Sequence, residues 1–297
     1  MQKDQEFFNP FPGDSYDTAE NTPRSLFDRL LFGCRISFYL RNFYVFCRSG
    51  HLARTTEFGQ VPQTRNSYDN IRITESCGGK FHLRGLDNID RIPGPVVFIG
   101  NHMSLLETAV MHAFMRPRKD FCFVIKRSLL KVPFFGNIMR KLGCIAVDRV
   151  NPRDDFKTVM EEGKKRLESG VSVIIFPQST RSAVFDETQF NTIGVKLAKH
   201  AGVPVIPFAL RTDFLANGSL IKDLGPIKRE RPIWFEFGEP ILSVKGSGKE
   251  EQAQIVEFIK SRLTRWGCEI REPGRDPAKE EAAGAAPENS GIHSEKT

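Results

Sequence analysis

Five short apolar runs govern what this 297-residue chain can fold into: 96–99, 121–125, 144–147, 171–176 and 203–210. They are largely continuous rather than alternating, and each is too short for a core helix, so each predicts a strand buried on both faces. Between them lie stretches of helical spacing: 108–115, a short segment started by Pro133-Phe134-Phe135-Gly136 and running to about Leu142, the stripe Phe156, Val159, Met160, Gly163 and Leu167, and 190–201. This alternation predicts an α/β fold whose mostly parallel central sheet is flanked by helices. A further strand at 233–237 and an amphipathic helix carrying Ile255, Phe258, Ile259, Leu263 and Trp266 follow. Upstream, Ile71-Arg72-Ile73-Thr74 and Phe81-His82-Leu83-Arg84 alternate in character around Gly78-Gly79, which predicts a β-hairpin.

In open parallel sheets the site lies beyond the carboxyl ends of the strands. The residues delivered there are Asn101-His102, Lys126, Asp148-Arg149 and Gln178-Ser179-Thr180-Arg181. One histidine, one lysine and two arginines therefore converge on one edge. Five residues after His102 comes Glu107, and two readings of that spacing stand side by side. Ser104-x-x-Glu107 is a capping box opening the helix that follows. Alternatively, His102 is a general base and Glu107 its orienting partner. Arg149 and Arg181, with Lys126 as a third charge, suit recognition of a phosphate by paired guanidinium contacts, or are ordinary surface cations.

The formal charge of +7 is uneven, since 271–297 hold four Lys/Arg against six Asp/Glu and the remaining body carries about +9. A basic body suits an anionic membrane surface or phosphorylated ligands. Nucleic acid is not an expected partner, because the cations form no stripe with a recognisable module. The six cysteines are scattered, with no C-x-x-C pair and no His at metal-ligand spacing, so buried thiols and no metal site are expected. The first residues lack the apolar core of a signal peptide, and no stretch of 18 is free of charge, so no simple membrane span is expected.

Residues 1–23 are polar and predict a loose arm, and 271–297 a disordered tail. Residues 24–54 hold six arginines and seven aromatics against one acid, Asp28. That mixture suits amphipathic helices at a membrane interface, with rings in the acyl boundary and guanidinium groups on lipid phosphate, or helices packed on their own domain.

Four ordered blocks carry a resemblance. Asn101-His102-x-Ser104-x-x-Glu107, Gly143-Cys144-Ile145-Ala146-Val147-Asp148-Arg149, Phe176-Pro177-Gln178-Ser179-Thr180-Arg181-Ser182 and Val203-Pro204-Val205-Ile206-Pro207 resemble those of the glycerolipid acyltransferase family, most closely its bacterial-type 1-acylglycerol-3-phosphate acyltransferases. Lys126 with Pro133-Phe134-x-Gly136 is also similar to family positions. The resemblance implies an O-acyltransferase domain over 55–270 with a glycerol-phosphate-acyltransferase-like fold. It would move a fatty acyl group from acyl-CoA or acyl carrier protein to the free hydroxyl of 1-acylglycerol-3-phosphate, a lysophospholipid acceptor, giving phosphatidate with no cofactor. It would work peripherally or monotopically at the cytoplasmic face of a membrane with anionic lipid.

By position, the resemblance makes His102 and Glu107 catalytic and gives Arg149, Arg181 and Lys126 the acceptor phosphate. Asn101, Ser104, Gln178, Ser179 and Thr180 would support the acceptor site. Backbone N–H groups near the 101–107 corner would stabilise the oxyanion. The family usually has Asp where Glu107 stands, one methylene (~1.5 Å) shorter, and Glu-Gly where Gln178-Ser179 stand. These departures leave open a different lysophospholipid or acylated amino-acid lipid as acceptor, or a lipid-binding surface protein without chemistry.

Overall fold

The computed structural model describes residues 7–55, 58–178 and 180–271. The tail beyond Arg271, and Ser179, lie outside the described residues. The chain begins with β1 (Tyr16–Asp17) and three helices, α1 (Leu26–Leu30), α2 (Arg35–Thr55) and α3 (Gln60–Ser76), before β2 (Phe81–Arg84). An alternating series follows: α4 (Asp87–Asp90), β3 (Val97–Gly100), α5 (Leu106–Met115), β4 (Phe121–Lys126), α6 (Phe135–Lys141), β5 (Ile145–Val147), α7 (Pro152–Glu168) and β6 (Ser172–Ile175). The chain continues through β7 (Phe185–Asp186), α8 (Ile193–Ala201), β8 (Val205–Arg211), β9 (Ile233–Phe237), α9 (Lys249–Arg265) and β10 (Ile270–Arg271).

Eight strands form one sheet in the order β1-β2-β9-β8-β3-β6-β4-β5. From β8 through β3, β6 and β4 to β5, every neighbouring pair is parallel. The α/β expectation therefore holds, and its cause is visible: β3, β6 and β8 are buried along their whole length, as strands covered on both faces must be. At the end of β3, Gly100 is required by close approach, because a Cβ there would overlap the Phe208 ring on β8. Asn101 then extends the ladder: its Nδ2 donates to Leu210 O at 2.8 Å and its Oδ1 accepts from Leu210 N–H at 2.9 Å.

Two upstream expectations fail. The hairpin over 71–74 and 81–84 is not formed: the first half lies in α3, and Phe81–Arg84 pairs with β9 and β1 instead. Thr64, Ser67, Ile71 and Thr74 are buried at helical spacing, and Ser67 Oγ both donates to Ala109 O and accepts from Ala113 N–H on α5. Packing against α5 overrides the β preference of Ile71 and Ile73. Nor are residues 7–23 loose. Phe11 is buried, β1 adds to the sheet edge, and Tyr16 and Thr18 donate to the buried Glu75 carboxylate at 2.5 and 2.7 Å. A few anchors suffice to order a polar segment.

For 24–54, helices form, with one face packed on the domain and another exposed. Phe38, Val45, Ser49, Gly50 and Ala53 of α2 are buried. Gly50 lets α2 touch the turn before α6, where a Cβ would overlap Phe134. Leu26, Leu30, Phe32, Ile36, Leu40, Phe43 and Tyr44 are exposed, Phe32 at 99%. Four of the six arginines have partners within the fold: Arg24 pairs with Asp28, Arg35 donates to Leu224 O, Arg41 to Ser25 and Ser76, and Arg48 pairs with Asp69. No helix among the described residues is long and apolar enough to cross a membrane.

Candidate active site

The strand order puts the loop after β8, the His102 loop after β3, and the turn after β6 side by side. Lys126 at the end of β4 and Arg149 after β5 lie progressively farther out. At about 4.8 Å per strand, Lys126 stands roughly 10 Å and Arg149 roughly 14 Å from the His102 strand. Both side chains are exposed, and Arg149 has a left-handed backbone with φ 60°. The edge is shared as expected, and the strand spacing sets Lys126 and Arg149 apart from the His102 loop.

His102 and Glu107 do meet. The ring Nδ1 lies 2.7 Å from Glu107 Oε1, with the carboxylate fully buried and the histidine side chain 18% exposed. The same carboxylate also supplies the return half of a capping box, although the helix N-cap is Leu105, one residue after Ser104, and makes no side-chain cap bond. Oε1 accepts from Met103 N–H at 2.7 Å, and Oε2 from Ser104 N–H at 2.9 Å, while Ser104 Oγ accepts from Leu106 N–H at 3.1 Å. Glu107 thus serves His102 through Oε1 and the Ser104 N–H through both oxygens, so orienting the histidine and tying down the helix-opening turn are compatible. Thr212 adds a hydroxyl donor to Oε2 at 2.5 Å, and Ser104 Oγ lies within 2.9 Å of Thr212 Oγ1.

Burial alone raises the Glu107 pKa. The bond and charge of His102, the Thr212 hydroxyl and the Met103 N–H more than offset it, so the carboxyl sits below its ordinary range and is ionised. An ionised partner fixes the tautomer: Nδ1 carries the proton, and Nε2 is left with the lone pair. The ring is held flat against Phe176, with centroids 4.3 Å apart and planes at 16°.

Gln178 departs from the acceptor-site expectation in what its side chain touches. It is buried, and its Oε1 accepts from His102 N–H at 2.6 Å. Ser182 N–H donates to His102 O at 3.0 Å, so the turn after β6 grips the histidine backbone on both sides. A glutamate at 178 could accept the same bond from His102 N–H. We expect Gln178→Leu to lower kcat about tenfold, the worth of one buried hydrogen bond, with KM for the acceptor little changed and Gln178→Glu near wild type. Steady-state kinetics on both variants checks this; a change confined to acceptor KM would instead make Gln178 an acceptor contact.

The corner N–H groups expected to hold an oxyanion are largely engaged. Those of His102, Met103, Ser104 and Leu106 all donate to side chains. At the outer side of the turn, Lys222 donates to Thr180 Oγ1, and Arg181 pairs with Asp223. Thr212, Lys222 and Asp223 were not singled out by the sequence reading. Thr212 obeys the same strand-end rule that found His102, applied one strand further; Lys222 and Asp223 sit in a loop without strand or helix signature. Among the described residues no group of three or more His, Cys, Asp or Glu side chains is placed to hold a metal ion.

With this geometry in view, likeness to known proteins is informative. Residues 80–211 match the family model described as Acyltransferase. The 1-acyl-sn-glycerol-3-phosphate acyltransferase of Pseudomonas aeruginosa is 39% identical over 194 residues, covering 65% of this chain and 71% of that protein. The Escherichia coli K12 protein of the same name is 27% identical over 198 residues, covering 64% and 73%. The crystal structure of the 1-acyl-sn-glycerophosphate acyltransferase from Thermotoga maritima superposes with a TM-score of 0.59 at 19% identity, over 82% of this chain and 98% of that one, and shows a shared fold. A match spanning most of a relative's length at the identity of the Pseudomonas protein, with the family model covering the His102 corner and the turn after β6, makes this chain a member of the glycerolipid acyltransferase family.

Proposed function

We propose that the protein is an O-acyltransferase acting on 1-acylglycerol-3-phosphate, the acceptor in the names of its relatives. The donor is the thioester of coenzyme A or of acyl carrier protein, and the product is phosphatidate. The observation that carries the mechanism is the His102–Glu107 pair at 2.7 Å, which leaves Nε2 as a proton acceptor at the carboxyl edge. The acceptor hydroxyl gives its proton to Nε2 as its oxygen attacks the thioester carbonyl. The tetrahedral adduct collapses, the C–S bond breaks, and the departing thiolate takes the proton back from the imidazolium. Glu107 holds the ring and stabilises its transient charge. No covalent enzyme intermediate is needed, and Ser104, the hydroxyl between the two residues in sequence, is buried and bonded to Thr212 and Glu107.

Arg181, Arg149 and Lys126 take the acceptor phosphate. Asn101, Ser104, Gln178 and Thr180 hold the loops that carry the site rather than the acceptor itself. A non-catalytic lipid-binding protein has no need of a buried, ionised carboxylate aimed at a histidine. Thiol release from acyl-CoA and from acyl carrier protein, with and without lysophosphatidate, tests this reading. Release should require lysophosphatidate with at least one donor; release indifferent to the acceptor, or none with either donor, defeats it.

The exposed apolar face of α1 and α2 meets the membrane, on the cytoplasmic side where both donors are found. With four of the six arginines engaged within the fold, that attachment is chiefly apolar, at about 2 kcal/mol for each fully buried phenylalanine. Phe32→Asp with Phe43→Asp should therefore lower the vesicle-bound fraction more than raising ionic strength to about 0.5 M does. Cosedimentation with anionic vesicles measures both. Release by salt alone would return the attachment to the arginines.

A further inference from the structure

The loop 218–225 after β8 places two opposite charges on one turn of the site. It is closed by Gly218 N–H donating to Lys222 O at 3.1 Å and Leu224 N–H to Ile221 O at 2.9 Å. It leans on α2, where Arg35 donates to Leu224 O at 3.1 Å and Tyr39 to Gly225 O at 2.8 Å. Its tip is apolar, with Leu220 98% exposed and Ile221 also exposed. Lys222 Nζ donates to Thr180 Oγ1, and to Arg181 O at 3.1 Å. The next residue, Asp223, pairs with the guanidinium of Arg181. Arg181 is mostly buried, with 16% of its side chain exposed, whereas its carboxylate partner is 57% exposed.

We infer that Lys222 is a further ligand of the acceptor's phosphate, and that Asp223 competes with that phosphate for Arg181. The inference rests on the reading of Arg181 as a phosphate-binding residue. Lys222 is bonded to the two residues that flank the place where such a phosphate would lie, and an ammonium on a flexible stem needs only a rotamer change to reach it. Asp223 offers Arg181 one negative charge from an exposed position; a phosphomonoester offers nearly two, and three oxygens for the guanidinium fork. Partial burial, then the nearby Arg181 and Arg149, lower the Lys222 pKa, with Asp223 opposing. A bound dianion relieves that crowding of cations. The neutral carboxyl isostere at 223 leaves Arg181 unclaimed, so acceptor binding no longer works against an internal pair.

The test is acceptor KM in four proteins: wild type, Lys222→Met, Lys222→Arg and Asp223→Asn. Lysophosphatidate is the acceptor, and 1-acylglycerol is its phosphate-free control. Lys222→Met should raise lysophosphatidate KM about ten- to hundredfold, leave kcat and donor KM within about threefold, and be largely rescued by Lys222→Arg. Asp223→Asn should lower acceptor KM, the opposite direction, which a merely disordered loop would not produce. If wild type prefers lysophosphatidate over 1-acylglycerol but neither variant shifts its KM, or donor KM moves instead, the inference is overturned and the proposed function stands. If wild type does not prefer lysophosphatidate, the underlying reading of the phosphate site falls with it.

Discussion

His102→Ala removes acyl transfer to the floor of the assay, a loss of about 10²–10⁴-fold, while lysophosphatidate binding is retained. The asymmetry follows from the geometry. The histidine contributes its ring to the reacting hydroxyl, whereas the cations for the acceptor phosphate stand on other strands, beyond β6, β4 and β5. The substitution should also leave the fold intact. Glu107 keeps the Met103 and Ser104 N–H groups and the Thr212 hydroxyl when the imidazole is gone, so no bare buried charge results. Turnover by product formation and lysolipid binding by titration separate the two effects. Substantial activity in His102→Ala would remove the histidine from the mechanism.

The second large effect belongs to Glu107. Glu107→Ala leaves the ring nitrogen, two backbone N–H groups and the Thr212 hydroxyl without their acceptor in a buried place. Losing one side of such a network costs about 3–5 kcal/mol, so this variant should be both inactive and less stable. Glu107→Asp keeps the charge with ~1.5 Å less reach and should retain far more activity than alanine. Equal, small losses in both would reduce Glu107 to a helix cap. Stability adds a pH signature. The folded-state pKa is held below the ordinary 4.5, so the carboxylate's contribution is fully present above that value and is lost as pH falls through the folded-state pKa. The melting-temperature gap between wild type and Glu107→Gln should therefore narrow on acidification below about pH 4.5, and a constant gap would contradict the assigned ionisation.

Much of this site is written in local sequence. Continuous apolar runs identify strands covered on both faces, and the strand-end rule then gathers His102, Lys126, Arg149 and Arg181 without any long-range information. The His102–Glu107 contact spans five positions and is legible in spacing alone. What spacing cannot carry is contact between distant segments. Thr212 reaches Glu107 across 105 positions and Gln178 reaches His102 across 76, so a further donor to Glu107 and a buried positioning role emerge only in three dimensions. The same limit misassigned 71–74, where Ile71-Arg72-Ile73 alternates like a strand but is held helical by α5. It also made residues 7–23 look loose, since their order depends on Glu75, far along the chain.

The central claim is direct transfer by a histidine base, and rapid-quench measurement of thiol release from acyl-CoA tests it most directly. The wild-type enzyme alone should release no stoichiometric burst of thiol. On addition of lysophosphatidate, thiol and phosphatidate should appear one for one, and His102→Ala should produce neither. A burst of one thiol per enzyme before any acceptor is added would reveal a covalent acyl-enzyme and contradict the account.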